Sequence, residues 1–211
     1  MLGIAVGVLY SNASEWFFHK YVLHGLGRKK ESFFAFHWHE HHRRARKGEM
    51  RDEDYERSPF GVHAQGKEVF LLAASSAAAA VLIGRKYPWF TATAVAGAWN
   101  YYRCHKRSHL EPEWAKQHLP WHYDHHMGPD QDANWCVTAP WMDILMGTRK
   151  PFVGTEIEAQ QKARAAERAK QEAAKQEAAK QEAAKQEARD RQAMAPPAPI
   201  FDVTDQSLSI A

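Results

Sequence analysis

Apolar and polar positions divide this chain into three apolar stretches, histidine-rich joints between them, and a long charged tail. Leu2 to Tyr10 (LGIAVGVLY) opens the first stretch, which continues through Ser11–Ser14 into Glu15-Trp16-Phe17-Phe18-His19. A helix from Leu2 to His24 would be about 34 Å long, enough to cross a bilayer. Val69 to Ile83 (VFLLAASSAAAAVLI) and Trp89 to Tyr102 are the second and third stretches. Each alone gives roughly 22 Å of helix and nears the ~30 Å hydrocarbon core only when extended by Gly66–Glu68 and Asn100–Cys104. They read as a helical hairpin turning at Gly84–Pro88, its alanines permitting close packing; a buried soluble hairpin is the alternative. A shorter apolar segment runs from Asn134 to Thr148.

Beyond Val153 the character changes. Glu156 to Gln192 is built on the repeat AKQEA, whose strong helix formers and paired charges predict a helix. Five residues turn a helix by about 500°, so no apolar seam forms, and a solvated single helix or semi-rigid spacer is expected. MAPPAP and the residues after it read as disordered. The expected organisation is residues 1–153 as a membrane-embedded unit, 154–192 as a charged spacer and 193–211 as a disordered tail.

The 211 residues carry a net charge of +3, which gives no reason to expect a nucleic-acid partner. Two cysteines, Cys104 and Cys136, make no disulfide framework, so a reducing compartment is expected, and Cys104 beside the third histidine box reads as a buried reduced thiol over a ligand. The negative mean hydropathy reflects the polar tail and the joints. Basic residues concentrate around the histidines, with Arg85 and Lys86 at the hairpin tip, and the positive-inside rule places the histidines in the cytoplasm. Neither a basic n-region nor a small-residue cleavage site marks a signal peptide at the N-terminus.

The chemistry lies in the histidines. CHKRSHLEPEWAKQHLPWHYDHHMG holds His105 and His109 at i, i+4 and His122, His125 and His126 at i, i+3, i+4, each set sharing a helix face. Upstream, His19 and His24 stand five apart, and FHWHEHHRRARK supplies His37, His41 and His42 with His39 between. On an α-helix His37, His41 and His42 lie within about 140° of one another while His39 lies ~200° from His37, so His39 reads as a bystander. Neutral imidazole is a first-row transition-metal ligand, and ten of them exceed the four to six that one ion takes but suit two. Asn134 is a candidate weak ligand and Asp124 a candidate acceptor behind a histidine ring. Glu49–Arg57 reads as a solvated loop, His63 as a surface or hydrogen-bonded histidine, and the tryptophans beside the boxes as packing or interface anchors.

These four boxes, H-x4-H, H-x3-HH, H-x3-H and H-x2-HH, followed by NWCVTAPWMDILMGT, resemble the fatty acid hydroxylase (sterol desaturase) superfamily over about Glu15 to Thr148. The resemblance implies an all-α integral-membrane helical bundle with a cytosolic, histidine-rich dimetal cap. It implies metal ligation by His19, His24, His37, His41, His42, His105, His109, His122, His125 and His126. Two iron ions are implied, although spacing does not separate iron from zinc. The implied activity is O2-dependent hydroxylation or desaturation of a fatty acid or sterol lipid; no side chain need act as a nucleophile. No nucleotide fingerprint occurs, so the two electrons are expected from a separate redox protein. Trp38 departs from the pattern, standing where many members carry the first histidine of H-x2-HH, so His37 or His39 must substitute. HKYVLHG is also similar to the first box of carotenoid ring hydroxylases, an alternative within the same chemistry. An alternative of another class is a membrane metal-binding scaffold with the repeat as docking arm.

Overall fold

The computed structural model describes residues 1–194; the remainder of the expected disordered tail lies outside the described residues. Among them the chain is all-helical, with eight α-helices and no strand. Helix α1 (Leu2–Phe17) winds without a break into a π-helical segment, Phe18–Leu26. A second π-helical segment, Phe36–His42, leads into α2 (Arg43–Lys47). A 3₁₀ turn (Glu53–Glu56) precedes the long α3 (Ala64–Ile83) and α4 (Pro88–Leu110). Short helices α5 (Pro112–His118), α6 (Pro120–Met127) and α7 (Trp141–Leu145) follow, then α8 (Glu156–Ala193).

Local chemistry sets these boundaries. Helices α4, α5 and α6 each begin on a proline, whose fixed φ and missing N–H suit the first helical position. Helix α3 begins where Asp54 Oδ2 accepts from the Gln65 N–H and from His63 Nδ1.

Helix α1 packs along α4, and α3 packs against α4. Two glycines permit the α1–α4 approach. A Cβ on Gly7 would sit 2.7 Å from Thr93 Cβ, and one on Gly97 would sit 2.3 Å from Ser11 Oγ. The Asn134–Thr148 segment clamps onto α1 from another side. Glu15 accepts from the Val137 and Thr138 N–H groups, the Asn12 amide donates to the Ala139 carbonyl at 2.7 Å, and the Trp16 indole donates to Thr148 Oγ1. The Asn12 side chain is buried in this contact.

The outer faces are apolar. Leu9, Phe70, Val81, Leu82, Trp89 and Trp99 are all exposed, more than a chain surrounded by water normally leaves open. Three crossing segments are expected from sequence, yet among the described residues one helix, α3, is long and apolar enough to span a bilayer, with 11% of its apolar window buried. The regular part of α1 is only 16 residues, and the last two turns of α4 carry Arg103, Lys106 and Arg107. Length and composition therefore carry one span and give no support to a multi-pass topology.

The chain divides into two units, Met1–Ala159 and Gln160–Ala211, a boundary six residues beyond the one expected at Val153. The first turn of α8 belongs to the first unit. Glu158 is buried, accepts from the Gly154 N–H at 2.7 Å and pairs with Lys116 at 2.8 Å. Side chains from Lys162 to Arg191 are exposed, as a helix without an apolar face requires.

A chain ending at Ala166 should therefore melt at the temperature of the full chain. Ending at Thr155 removes Glu158 with its bonds to Lys116 and the Gly154 N–H, a loss of about 1–3 kcal/mol, and should lower Tm by several degrees in a thermal scan of the solubilised protein. Equal melting of the two truncations would show that Glu158 stabilises nothing.

Candidate metal centre

Ten histidines, those at positions 19, 24, 37, 41, 42, 105, 109, 122, 125 and 126, converge at one end of the bundle, each no more than 2% exposed. Nine form two adjacent groups among the described residues. His19, His24, His37, His42 and His125 make one; His41, His105, His109 and His126 make the other; within each, the nitrogens lie within 4.8 Å of one another. His122 borders the second group, its Nε2 3.3 Å from that of His109. The His42 and His126 rings stack at 4.3 Å, so the two groups share a wall.

π-Helical winding brings the first group together. Histidines five residues apart diverge by about 140° on an α-helix. In a π-helix the i→i+5 hydrogen bond sets residue i+5 about one turn above residue i. His19 and His24 occupy one such segment, with ring centroids 5.0 Å apart; His37 and His42 occupy the other, with their Nε2 atoms 3.2 Å apart. The α-helical geometry expected for these boxes is thus replaced, and it is π-winding that lets H-x4-H converge. In the second group His105 and His109 remain an ordinary i, i+4 pair on α4.

Anchors behind the rings fix which nitrogen faces inward. A carbonyl or ionised carboxylate only accepts, so a ring nitrogen against one carries the proton. His19 Nδ1 donates to the Trp135 carbonyl at 2.6 Å, His125 Nδ1 to that of Ala133 at 2.7 Å and His109 Nδ1 to that of Met50 at 2.8 Å. His41 Nδ1 donates to Asp52 at 2.9 Å and His105 Nδ1 to Glu68 at 2.6 Å. These five therefore present Nε2 lone pairs to the interior.

The lone pairs meet head-on. Nε2 to Nε2 distances are 2.9 Å for His19–His37, 3.0 Å for His24–His42 and 3.2 Å for His42–His125. One N–H on His42 could satisfy a single neighbour of three. In the second group the Nε2 atoms of His41 and His105 and both ring nitrogens of His126 are buried without a hydrogen-bond partner. Buried polar atoms left unpaired cost about 1–3 kcal/mol each, so this clustering points to a cation. Imidazoles at about 2.1 Å on a six-coordinate ion would place adjacent nitrogens near 3.0 Å. The donor set fits a first-row transition-metal ion in each group, and Asp52 and Glu68 supply negative charge behind the rings.

The same environment keeps the rings in the neutral form that ligates. Burial, followed by repulsion between neighbouring imidazoles, holds His37, His41, His42, His122 and His126 well below the ordinary histidine value, as burial does for His125.

Other candidates fall outside. His39 turns away and donates to the Arg28 carbonyl at 3.0 Å. His118 is exposed and stacks on Trp114, and His63 is taken up by Asp54. Asn134 is no ligand; its carbonyl oxygen accepts from Arg149 and the Lys150 N–H, and its amide donates to the Lys150 carbonyl. Asp124 binds the Val153 N–H and Arg149 in place of a histidine ring. Arg149 and Lys150 lie close in sequence and claim both acceptors.

The largest departure from sequence concerns Glu49–Arg57. This segment is not a solvated loop, since Met50, Asp52, Asp54 and Tyr55 are buried beneath the second group. Tyr55 donates to Glu68 at 2.6 Å and stacks on the His109 ring, and Asp52 also takes Arg44 at 2.7 Å. The only trace in sequence is a tyrosine and a methionine among many charges. No family model, curated protein or solved structure matches this chain.

His37→Ala should lose bound metal and His39→Ala should keep it, measured by elemental analysis beside the parent; the reverse result would place the wrong ring in the site. Loss of the carboxylate behind His41 in Asp52→Asn should weaken metal affinity about 10–100-fold.

Acid should destabilise the metal-free chain. The unfolded chain takes up protons near pH 6.5 and the folded site does not, so stability is unaffected above that value and falls below it. Each buried ring adds up to about 1.4 kcal/mol per pH unit. Tm of the metal-free protein should therefore drop steeply between pH 7 and pH 5.5; a flat profile would mean the rings are protonated or hydrated in the folded state.

Proposed function

We propose that this protein is a membrane-bound dimetal oxygenase that hydroxylates or desaturates a lipid of the fatty acid or sterol type. The observation that carries the reading is an apolar cavity of about 330 Å³ among α1, α3 and α4 that reaches both histidine groups. Its walls include Leu71, Leu72, Ala79, Val95 and Ala98, and its inner end is formed by His19 and His37 of the first group and His41 of the second. An apolar cavity ending on metal-binding side chains is the arrangement that C–H chemistry on an apolar substrate requires.

The group held by the nine clustered histidines, and by His122 in our reading, would be two iron ions, which activate O2 with two external electrons. The chain does the positioning. Val22 and Leu23 on the π-helical continuation of α1, with Leu71 and Leu72 on α3, enclose an alkyl chain and exclude water from its reacting carbon. The anchored Nδ1–H groups hold the imidazoles in place. The exposed apolar faces of α1, α3 and α4 suit insertion beside the lipid, and we read the protein as multi-pass with its histidines facing the cytoplasm. The four-box order supports placing it with the fatty acid hydroxylase superfamily.

Iron-loaded protein with reductant, membrane lipid and ¹⁸O₂ should yield a lipid product carrying ¹⁸O, or a desaturated lipid with O2 consumed. No O2-dependent product from metal-replete protein would contradict the reading and favour a metal-binding scaffold. Ala98→Trp, which fills the cavity, should keep its metal and lower kcat/KM about 10-fold or more. Alkaline carbonate washing should leave the protein in the membrane pellet.

A further inference from the structure

A second opening reaches the histidines from another side, and its chemistry is opposite to that of the apolar cavity. It is an open cleft of about 540 Å³ lined by Lys30, Trp38, Glu40, His42, Arg43 and Arg46, among others. None of these six lines the apolar cavity. His42 belongs to the first histidine group, so the cleft borders that group.

Its charge is unbalanced. Lys30 and Arg43 are exposed, and neither makes an ion pair among the described residues. Arg46 donates to the His126 and Gly128 carbonyls, which leaves its positive charge uncompensated. The one carboxylate in the lining, Glu40, lies 3.7 Å from both Arg44 and Lys67. Lys29 and Lys47, next in sequence to Lys30 and Arg46, are exposed as well, and the acids beside the lining residue Gln131 are paired, Asp132 with Arg28 and Asp130 with Lys150.

The floor is aromatic. The half-buried Trp38 ring lies 5.4 Å from the His42 ring and 5.0 Å from that of His24, and the Arg28 guanidinium sits 4.6 Å over it. Trp38 thus joins the cleft to two histidines of the first group. It is also the residue that departs from the usual second-box pattern.

We propose that this cleft is the docking site for an acidic one-electron redox protein, with Trp38 as the contact between that partner and the His24–His42 side of the centre. The inference rests on the oxygenase reading for its purpose and on the cleft's charge and aromatic floor for its location. The balance is R–H + O2 + 2 e⁻ + 2 H⁺ → R–OH + H2O. Each docking oxidises one reduced partner by one electron, so two encounters supply one turnover. Separate openings let the apolar substrate remain in place while partners exchange, and opposite charge raises the encounter rate.

The test measures binding of the full-length, detergent-solubilised, metal-loaded protein to an immobilised acidic [2Fe–2S] ferredoxin. The variant is Lys30→Glu/Arg43→Glu, which alters exposed side chains and touches none of the ten histidines. The parent should bind at 50 mM salt and weaken roughly tenfold or more at 300 mM. The variant at 50 mM should bind roughly tenfold or more weakly, with metal content and Tm equal to those of the parent. Equal binding by parent and variant, or no binding by the parent, overturns the proposal. So does a variant that loses only adhesion to phosphatidylserine vesicles, since that assigns the cleft to an anionic membrane surface. Product formation driven by ascorbate and phenazine methosulfate should be unchanged in the variant; its absence in the parent counts against the oxygenase reading and leaves the binding result standing.

Discussion

Imidazole lone pairs forced together in a dry interior are the constraint on which this structure depends. Five Nε2 atoms point inward because their Nδ1 partners are held by carbonyls or carboxylates. Neutral lone pairs about 3 Å apart repel, and no protein group donates to positions such as His41 Nε2 and His105 Nε2. A cation makes the arrangement favourable, and the elements around it serve to hold the rings. The 133–135 strip supplies carbonyls, the Met50–Tyr55 segment supplies a carbonyl and a carboxylate, and α3 supplies Glu68. Metal and fold are thermodynamically linked in such a design.

The two π-helical segments are the backbone expression of the same constraint. A π-turn weakens packing along the helix and is rare, occurring mostly where function requires it. Here it lets two boxes with five-residue spacing each present both histidines to one side. Trp135 and His125 pack against the first segment, and Phe36 begins the second within the core. The long helices behind them are ordinary and serve a different purpose, enclosing an apolar cavity whose outer walls are themselves apolar.

The helical class and the histidine boxes could be read from the sequence, and so could the exclusion of His39, because two residues carry a side chain about half a turn from His37 in either winding. The winding itself could not, since no local propensity separates the two. The role of Asp52 was hidden because a charged segment reads as solvated unless its tertiary partner, His41 on another element, is known. Asn134 and Asp124 misled for the converse reason. Their polar groups point toward the site in sequence but are satisfied by Arg149, Lys150 and Val153. Among the described residues one helix, α3, combines the length and the uninterrupted apolar composition of a span, so the apolar runs of α1 and α4 support further spans by their exposed faces and not by length.

Metal K-edge X-ray absorption on the purified, metal-replete protein tests the central claim most directly. The account predicts first-shell scattering from nitrogen near 2.1 Å with the multiple-scattering pattern of several imidazoles, no sulfur shell, and metal in both histidine groups. Protein that retains no metal after purification under gentle conditions, or a first shell with sulfur or few imidazoles, would contradict it.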